Sequence, residues 1–233
     1  MMFDMFQKEE QFDFWWGLFK ARVAPILYPR ECQELDLLNS ADDMGFRERC
    51  PYKFHVLVIN MLLDSLQSPK KSEVLYGNEQ DVFLLLLIFR QSFQLPPSEF
   101  DLLNSMLKTY RAWICKDNLL YKWPQIMESN KSTFLRIFID HLSQVFYIVP
   151  TKPAIDTHLD MAFQVLEIFK FLSTLFKQLD TEIRSDLLLT YIAIFDVVMS
   201  WSESTDPAKL EFYNTMEKPL TKVFALALSL LPI

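Results

Sequence analysis

Apolar residues recur every three or four positions along most of this chain, the period of a helix buried on one side. Phe12, Trp15, Trp16 and Phe19 follow i, i+3, i+4, i+7 spacing and predict a helix from Asp4 to Ala24 with an aromatic face. Pro25 and Pro29 then predict an extended passage, because proline lacks the amide proton that a helix interior uses. Pro51 suits a first helical position, and Phe54, Leu57, Val58, Met61 and Leu62 form the stripe of a helix reaching Gln67. Ser68 to Gln80 is polar and reads as a loop. Asp81 to Gln94 is apolar nearly all round, through Val82, Phe83 and Leu84 to Leu87, so this helix should be enclosed on most sides. The pattern runs on through Phe89 and Phe93, beyond the ordinary length of a buried strand.

Pro96-Pro97 ends that element, and Ser98 with Asp101 has the spacing of a capping box. The helix it opens carries Leu102, Leu103, Met106, Leu107, Tyr110, Trp113 and Ile114. Lys116 to Lys131 reads as a loop, and Thr133 to Ile148 as a helix stopped by Pro150 and Pro153. A long helix opens at Asp156 or Thr157 and runs to Leu179, with Ala162, Val165, Leu166, Phe169, Leu172 and Phe176 on one face. Asp180 caps the next, in which Ile183, Leu187, Tyr191, Ile194, Phe195 and Val198 recur. Asp206, with Pro207 at the first position, opens a last helix to Ser229.

Helix starts near 51, 81, 98, 133, 156, 181 and 207 are compatible with the helix pairs of about 40–47 residues that build armadillo and HEAT repeats. No repeat-level identity accompanies them. The prediction is an all-α fold, an irregular armadillo/HEAT-like stack of about eight helices in α-α hairpins, forming a single domain over residues 1–233. Val223, Phe224, Leu226, Leu228 and Leu230 span more than one face of the last helix. A solenoid end normally bears a polar cap, so the chain reads as part of a longer protein.

Composition narrows the function classes. Only three glycines occur, Gly17, Gly45 and Gly77, against an average usage of about 7%. Glycine supplies the tight turns and close phosphate approach of Rossmann, P-loop and all-β folds, and its scarcity argues against all three. The formal charge is −7, from 30 acidic and 23 basic residues. Nucleic-acid binders carry a basic stripe; the nearest feature is Lys70-Lys71, so no nucleic acid is expected as partner. Cys32, Cys50 and Cys115 lack paired spacing, and an odd count suits a reducing compartment. Asp4, Lys8, Glu9 and Glu10 interrupt the amino terminus against a signal peptide. Phe83 to Phe89 and Val223 to Ile233 fall short of the roughly 20 residues of a membrane span. A soluble, cytoplasmic chain is expected.

Candidate chemistry is sparse. His55 lies five residues after Cys50, yet zinc takes about four ligands, or three and a water, and no second pair exists. Cys115 with His141 could act as nucleophile and base, but nothing supplies an orienting group or an oxyanion loop. His158 is isolated, and the acid pairs Glu9-Glu10 and Asp42-Asp43 lie on solvated segments where nothing shifts a carboxylate. Phe12, Phe14, Trp15, Trp16 and Phe19 offer a partner groove or a membrane face; their helix is not basic, and core packing is the better reading. Arg90, Arg111 and Arg136 sit in helical patterns that suit salt bridges better than arginine fingers. No catalytic, cofactor-binding or metal-binding residue is assigned, no cofactor is expected, and the chain does not read as an enzyme.

Two segments carry a family resemblance. Ile88-Phe89-Arg90-Gln91-Ser92-Phe93-Gln94-Leu95-Pro96 and Tyr110-Arg111-Ala112-Trp113-Ile114 resemble the amino-terminal region of the α subunits of Ral GTPase-activating proteins. Phe12-Asp13-Phe14-Trp15-Trp16-Gly17-Leu18-Phe19 through Ile26-Leu27-Tyr28-Pro29 is similar to that family's aromatic helix and its aromatic-proline stop. Phe134-Leu135-Arg136-Ile137-Phe138 to Val145-Phe146-Tyr147-Ile148-Val149-Pro150 is similar to the next family segment, and Gln164-Val165-Leu166-Glu167-Ile168-Phe169 and Leu187-Leu188-Leu189 to Val197-Val198-Met199 follow in the same order. The family carries a longer polar insert where this chain has Lys116 to Lys131. Its carboxyl-terminal GTPase-activating domain, with a catalytic asparagine, has no counterpart, so no asparagine here inherits that role. The resemblance implies a non-catalytic scaffold in a complex that stimulates GTP hydrolysis by Ral-type small GTPases, with a β subunit as partner. The residues alone leave open an independent helical adaptor that binds another protein.

Overall fold

The computed structural model describes residues 11–28, 52–112, 131–175 and 179–229. Every regular element among them is helical, and none is a strand. The helices gather into two compact units, Met1–Leu95 and Pro96–Ile233.

In the first unit, α1 is built from an α segment Phe12–Leu18, a π turn Phe19–Val23 and an α segment Ala24–Leu27. The helix therefore passes through Pro25, where the sequence predicts an extended passage. A π turn pairs each amide with the carbonyl five residues back. That slip falls just before the proline, which then stands in the first turn of the closing segment, where its missing N–H and fixed φ are tolerated. Helix α2, Tyr52–Leu66, buries His55, Val58, Ile59, Leu62 and Leu63, while Phe54 and Leu57 are 51% and 48% exposed. The predicted stripe is thus rotated by one residue, because the core recruits polar His55 in place of two larger apolar neighbours.

The predicted loop from Ser68 to Gln80 contains a helix instead. Pro69 starts α3, Pro69–Leu75, at the position where its missing amide costs nothing. A single buried residue, Leu75, anchors it, which is why its composition looks like a loop. Asn78 then caps α4, Glu79–Arg90, its Oδ1 accepting from the Asp81 amide at 2.9 Å. Asp81 through Phe89 are all buried, as the all-round apolar pattern requires, and a 3₁₀ turn Gln91–Gln94 follows.

The second unit begins with a 3₁₀ turn Pro97–Glu99 and α5, Phe100–Arg111. The Ser98–Asp101 capping box does not form: the 3₁₀ turn moves the N-cap to Glu99, which makes no side-chain cap. Asp101 Oδ1 instead accepts from Thr157 Oγ1 at 3.4 Å. Helices α6, Lys131–Tyr147; α7, Ile155–Thr174; α8, Thr181–Met199; and α9, Pro207–Ser229 complete the unit. Helix α7 stops at the Leu175 C-cap, short of the expected Leu179. The cap at α9 matches expectation, Asp206 Oδ1 accepting from the Ala208 amide at 2.9 Å. Trp113, Ile114 and Phe176 lie outside the described residues.

Within this unit α7 packs between α5 and α9, and α6 packs against α8. Chain neighbours α6 and α7, and α8 and α9, also touch. Each helix thus finds its main partner two places along the chain, which sorts α5, α7 and α9 into one layer and α6 and α8 into the other. That alternation is how helix pairs stack in an α-solenoid. The shared core is continuous: Met161, Val165, Ile168, Phe169 and Leu172 of α7 are enclosed with Leu103 and Leu107 of α5 and Phe212, Met216 and Leu220 of α9.

Candidate functional site

Each histidine singled out in the sequence is buried. His55, on α2, stands between Tyr28 at the end of α1 and Ser92 in the turn after α4. Tyr28 Oη lies 3.0 Å from Nδ1, and Ser92 Oγ lies 3.1 Å from Nε2. A serine and a third group on opposite ring nitrogens have the connectivity of a catalytic triad. The chemistry does not follow. Ser92 has no exposed surface and His55 only 3%, so no substrate reaches the hydroxyl. A phenol in place of a carboxylate also gives an imidazolium no counter-charge. Burial lowers the His55 pKa from 6.5 to about 4, which keeps the ring neutral, one nitrogen donating and the other accepting. The three residues form a polar staple across separate segments of the first unit. Cys50, the suggested metal companion of His55, lies outside the described residues.

His158 on α7 has an equivalent place in the second unit. Its Nε2–H donates to the Val145 carbonyl of α6 at 2.8 Å. Its ring sits 4.6 Å from Phe212 of α9 and 6.1 Å from Phe100 of α5, and burial lowers its pKa, the bond to Val145 opposing. His141 is buried on α6, while Cys115 lies outside the described residues, as do Glu9-Glu10 and Asp42-Asp43. No three His, Cys, Asp or Glu side chains converge among the described residues.

The aromatic cluster divides. Phe12, Trp16 and Phe19 are buried, with Trp16 and Phe19 stacked 5.3 Å apart, whereas Phe14 is 68% exposed and meets Trp15 edge-on. Next to this cluster Lys20 Nζ reaches Asp81 Oδ1 at 2.6 Å, and Asn78 Nδ2 donates to the other carboxylate oxygen at 3.0 Å. Arg136 bridges to Asp186 at 2.6 Å and Glu182 at 2.9 Å, tying α6 to α8 at the surface. Those two carboxylates, Asp186 first, raise the guanidinium pKa. Arg111 donates to Gln164 Oε1 at 2.9 Å, and Arg90 lies in the last turn of α4. Both Arg111 and Arg136 are thus held by helix-to-helix contacts.

Among the described residues, a concavity opens elsewhere, between α7 and α9. It encloses about 250 Å³ between Phe163, Leu166, Glu167 and Lys170 on one helix and Pro219, Lys222, Val223 and Leu226 on the other. Sequence periodicity assigns Leu166 to a buried face and reads Val223 as part of an apolar surface wider than one face, and it does not show that these helices part above them. None of the described helices is long and apolar enough to cross a membrane. No protein-family model, curated protein or solved structure matches the chain.

Proposed function

We propose that the chain is a non-catalytic helical scaffold of a Ral-type GTPase-activating complex, acting in the cytoplasm, with a β subunit as partner and GTPase activation supplied by a separate domain. The carrying observation is the layered packing of α5 to α9, in which buried polar groups are used to fasten helices together. The segments that resemble the family support it in a second way, because they supply interior positions: Phe89, Ser92 and Leu95; Tyr110; Phe138, Val145 and Phe146; Val165 and Phe169; Leu187 and Val198 are all buried. The interior share of that resemblance is one of architecture, as a scaffold requires, while Phe14, Ile26, Tyr147, Val149 and Leu189 of the same segments are exposed.

The test is co-expression with a β subunit of a Ral GTPase-activating complex, followed by size-exclusion chromatography and a single-turnover GTPase assay with a Ral-type GTPase. Co-elution is expected, with no acceleration by the chain alone, since activation needs a group placed against the γ-phosphate and brings about 10³–10⁵ in rate. Reproducible stimulation by the isolated chain, lost on changing one residue, would overturn the non-catalytic reading. Failure to co-elute would instead favour an independent adaptor, a reading that the groove between α7 and α9 also accommodates.

A further inference from the structure

We propose that the groove between α7 and α9 docks a short partner peptide carrying one large apolar side chain flanked by carboxylates. The floor is apolar and already desolvated: Leu166 and Val223 are buried beneath the opening, while Phe163, 39% exposed, forms one wall against Pro219 and Leu226. A volume of about 250 Å³ falls below the roughly 300–1,000 Å³ usual for small-molecule sites. It suits a single anchoring side chain, the way helix-in-groove and extended-peptide complexes place their hot spots.

The rim supplies the charge selection. Lys170 and Lys222 stand on opposite walls against one carboxylate, Glu167. The Glu167–Lys170 separation is 3.9 Å with both side chains more than half exposed, so water screens this pair and leaves the ammonium available. Lys222 makes no ion pair among the described residues. The local sign is therefore positive on a chain whose formal charge is −7. Because charge is screened beyond about 10 Å at ordinary ionic strength, the charges lining the rim, two ammoniums against one carboxylate, weigh most at the opening.

This assignment needs no β subunit, so a failed co-elution leaves it standing, and failed peptide binding leaves the scaffold reading standing. The experiment is fluorescence anisotropy on the full chain with three fluorescein-labelled peptides. One has a single Phe flanked by Glu, one has Lys in place of Glu, and one has Ala in place of Phe. The Glu–Phe peptide should bind saturably and about tenfold or more tighter than the other two. Lys170→Glu with Lys222→Glu should invert the order of the Glu and Lys peptides. Phe163→Ala should weaken the Glu–Phe peptide about tenfold, with unchanged helix content by circular dichroism and at most a small fall in melting temperature, because the residue is 39% exposed. Lys222→Gln, a milder change, should give an intermediate loss. Equal binding of the Glu and Lys peptides, indifference to the lysine changes, or no saturable binding would each overturn the proposal. So would self-association dispersed by Phe163→Ala and insensitive to peptide, which would give the groove to a second copy of the chain.

Discussion

The staple at His55 makes stability depend on pH in a way that one substitution isolates. Burial lowers the His55 pKa from 6.5 to about 4 in the folded chain, whereas in the unfolded chain the ring returns to its ordinary value. Between these values the unfolded state binds more protons, so stability is complete above about pH 6.5 and falls as pH drops toward 4. Converted through linkage, the loss relative to pH 8 is ~2 kcal/mol at about pH 5 and ~3 kcal/mol at about pH 4. His158, also lowered, acts in the same direction, and carboxylates titrate at the acidic end. The informative quantity is therefore the difference between the parent chain and His55→Gln, which keeps a polar side chain and removes the titration. At about pH 8 the variant should be less stable by ~1–3 kcal/mol, because buried Tyr28 and Ser92 face an imperfect partner. By about pH 5 that gap should close or reverse. Urea unfolding followed by circular dichroism gives both curves, and equal slopes with denaturant show that the unfolded reference is unchanged. If the two proteins lose stability in parallel from pH 7.5 to 5, His55 titrates normally and the sealed staple is wrong.

Two further outcomes follow from the same interior. In Tyr191→Phe, the hydroxyl that donates to the Phe169 carbonyl at 2.7 Å and meets Ser173 Oγ at 2.8 Å is lost; urea unfolding should show a cost of about 1–2 kcal/mol with the same helix content. In Lys20→Met, buried Asp81 keeps Asn78 as a side-chain donor but loses its ammonium at 2.6 Å. Stability near pH 7 should fall by about 1–3 kcal/mol, and adding Asp81→Asn should recover part of that loss, whereas additive losses would show that the pair does not interact.

What the sequence shows and hides divides along physical lines. Long helices were legible because a buried face imposes its period on many residues at once, as in α7, where Ala162, Val165, Leu166, Phe169 and Leu172 are all interior. Caps were legible where the motif is local: Asp206 before Pro207 caps α9. Elsewhere local reading failed. Ser98 has capping spacing, but Pro97 draws it into a 3₁₀ turn. Pro25 looks like a stop, but the preceding π turn absorbs it. Helix α3 has too little buried surface to impose a period. In α2 the pattern gives the helix and misplaces its face by one residue, since nothing near His55 in sequence announces that Tyr28 and Ser92 will meet it. The groove between α7 and α9 was invisible for the same reason: it is a spacing between helices about fifty residues apart.

The buried polar groups explain how a stack without repeating sequence can hold one register. Apolar contacts alone specify a packing less uniquely than they stabilise it, since cores of similar volume and pattern tolerate alternative arrangements. A hydrogen bond in a dry interior does not slide, because displacement by one turn leaves a donor and an acceptor without partners, at about 1–3 kcal/mol each. Such contacts recur through both units. His55 fixes α2 against the end of α1 and the turn after α4, and Asp81 fixes α4 against the π turn of α1. His158 fixes α7 on α6, and Tyr191 fixes α8 on α7. These bonds join residues from 13 to 61 positions apart in the chain. Burial drives these helices together, and the polar contacts select which arrangement survives. His55, weighed in the sequence as a metal ligand, and His158 therefore act with Tyr28 and Tyr191 as register marks between helices.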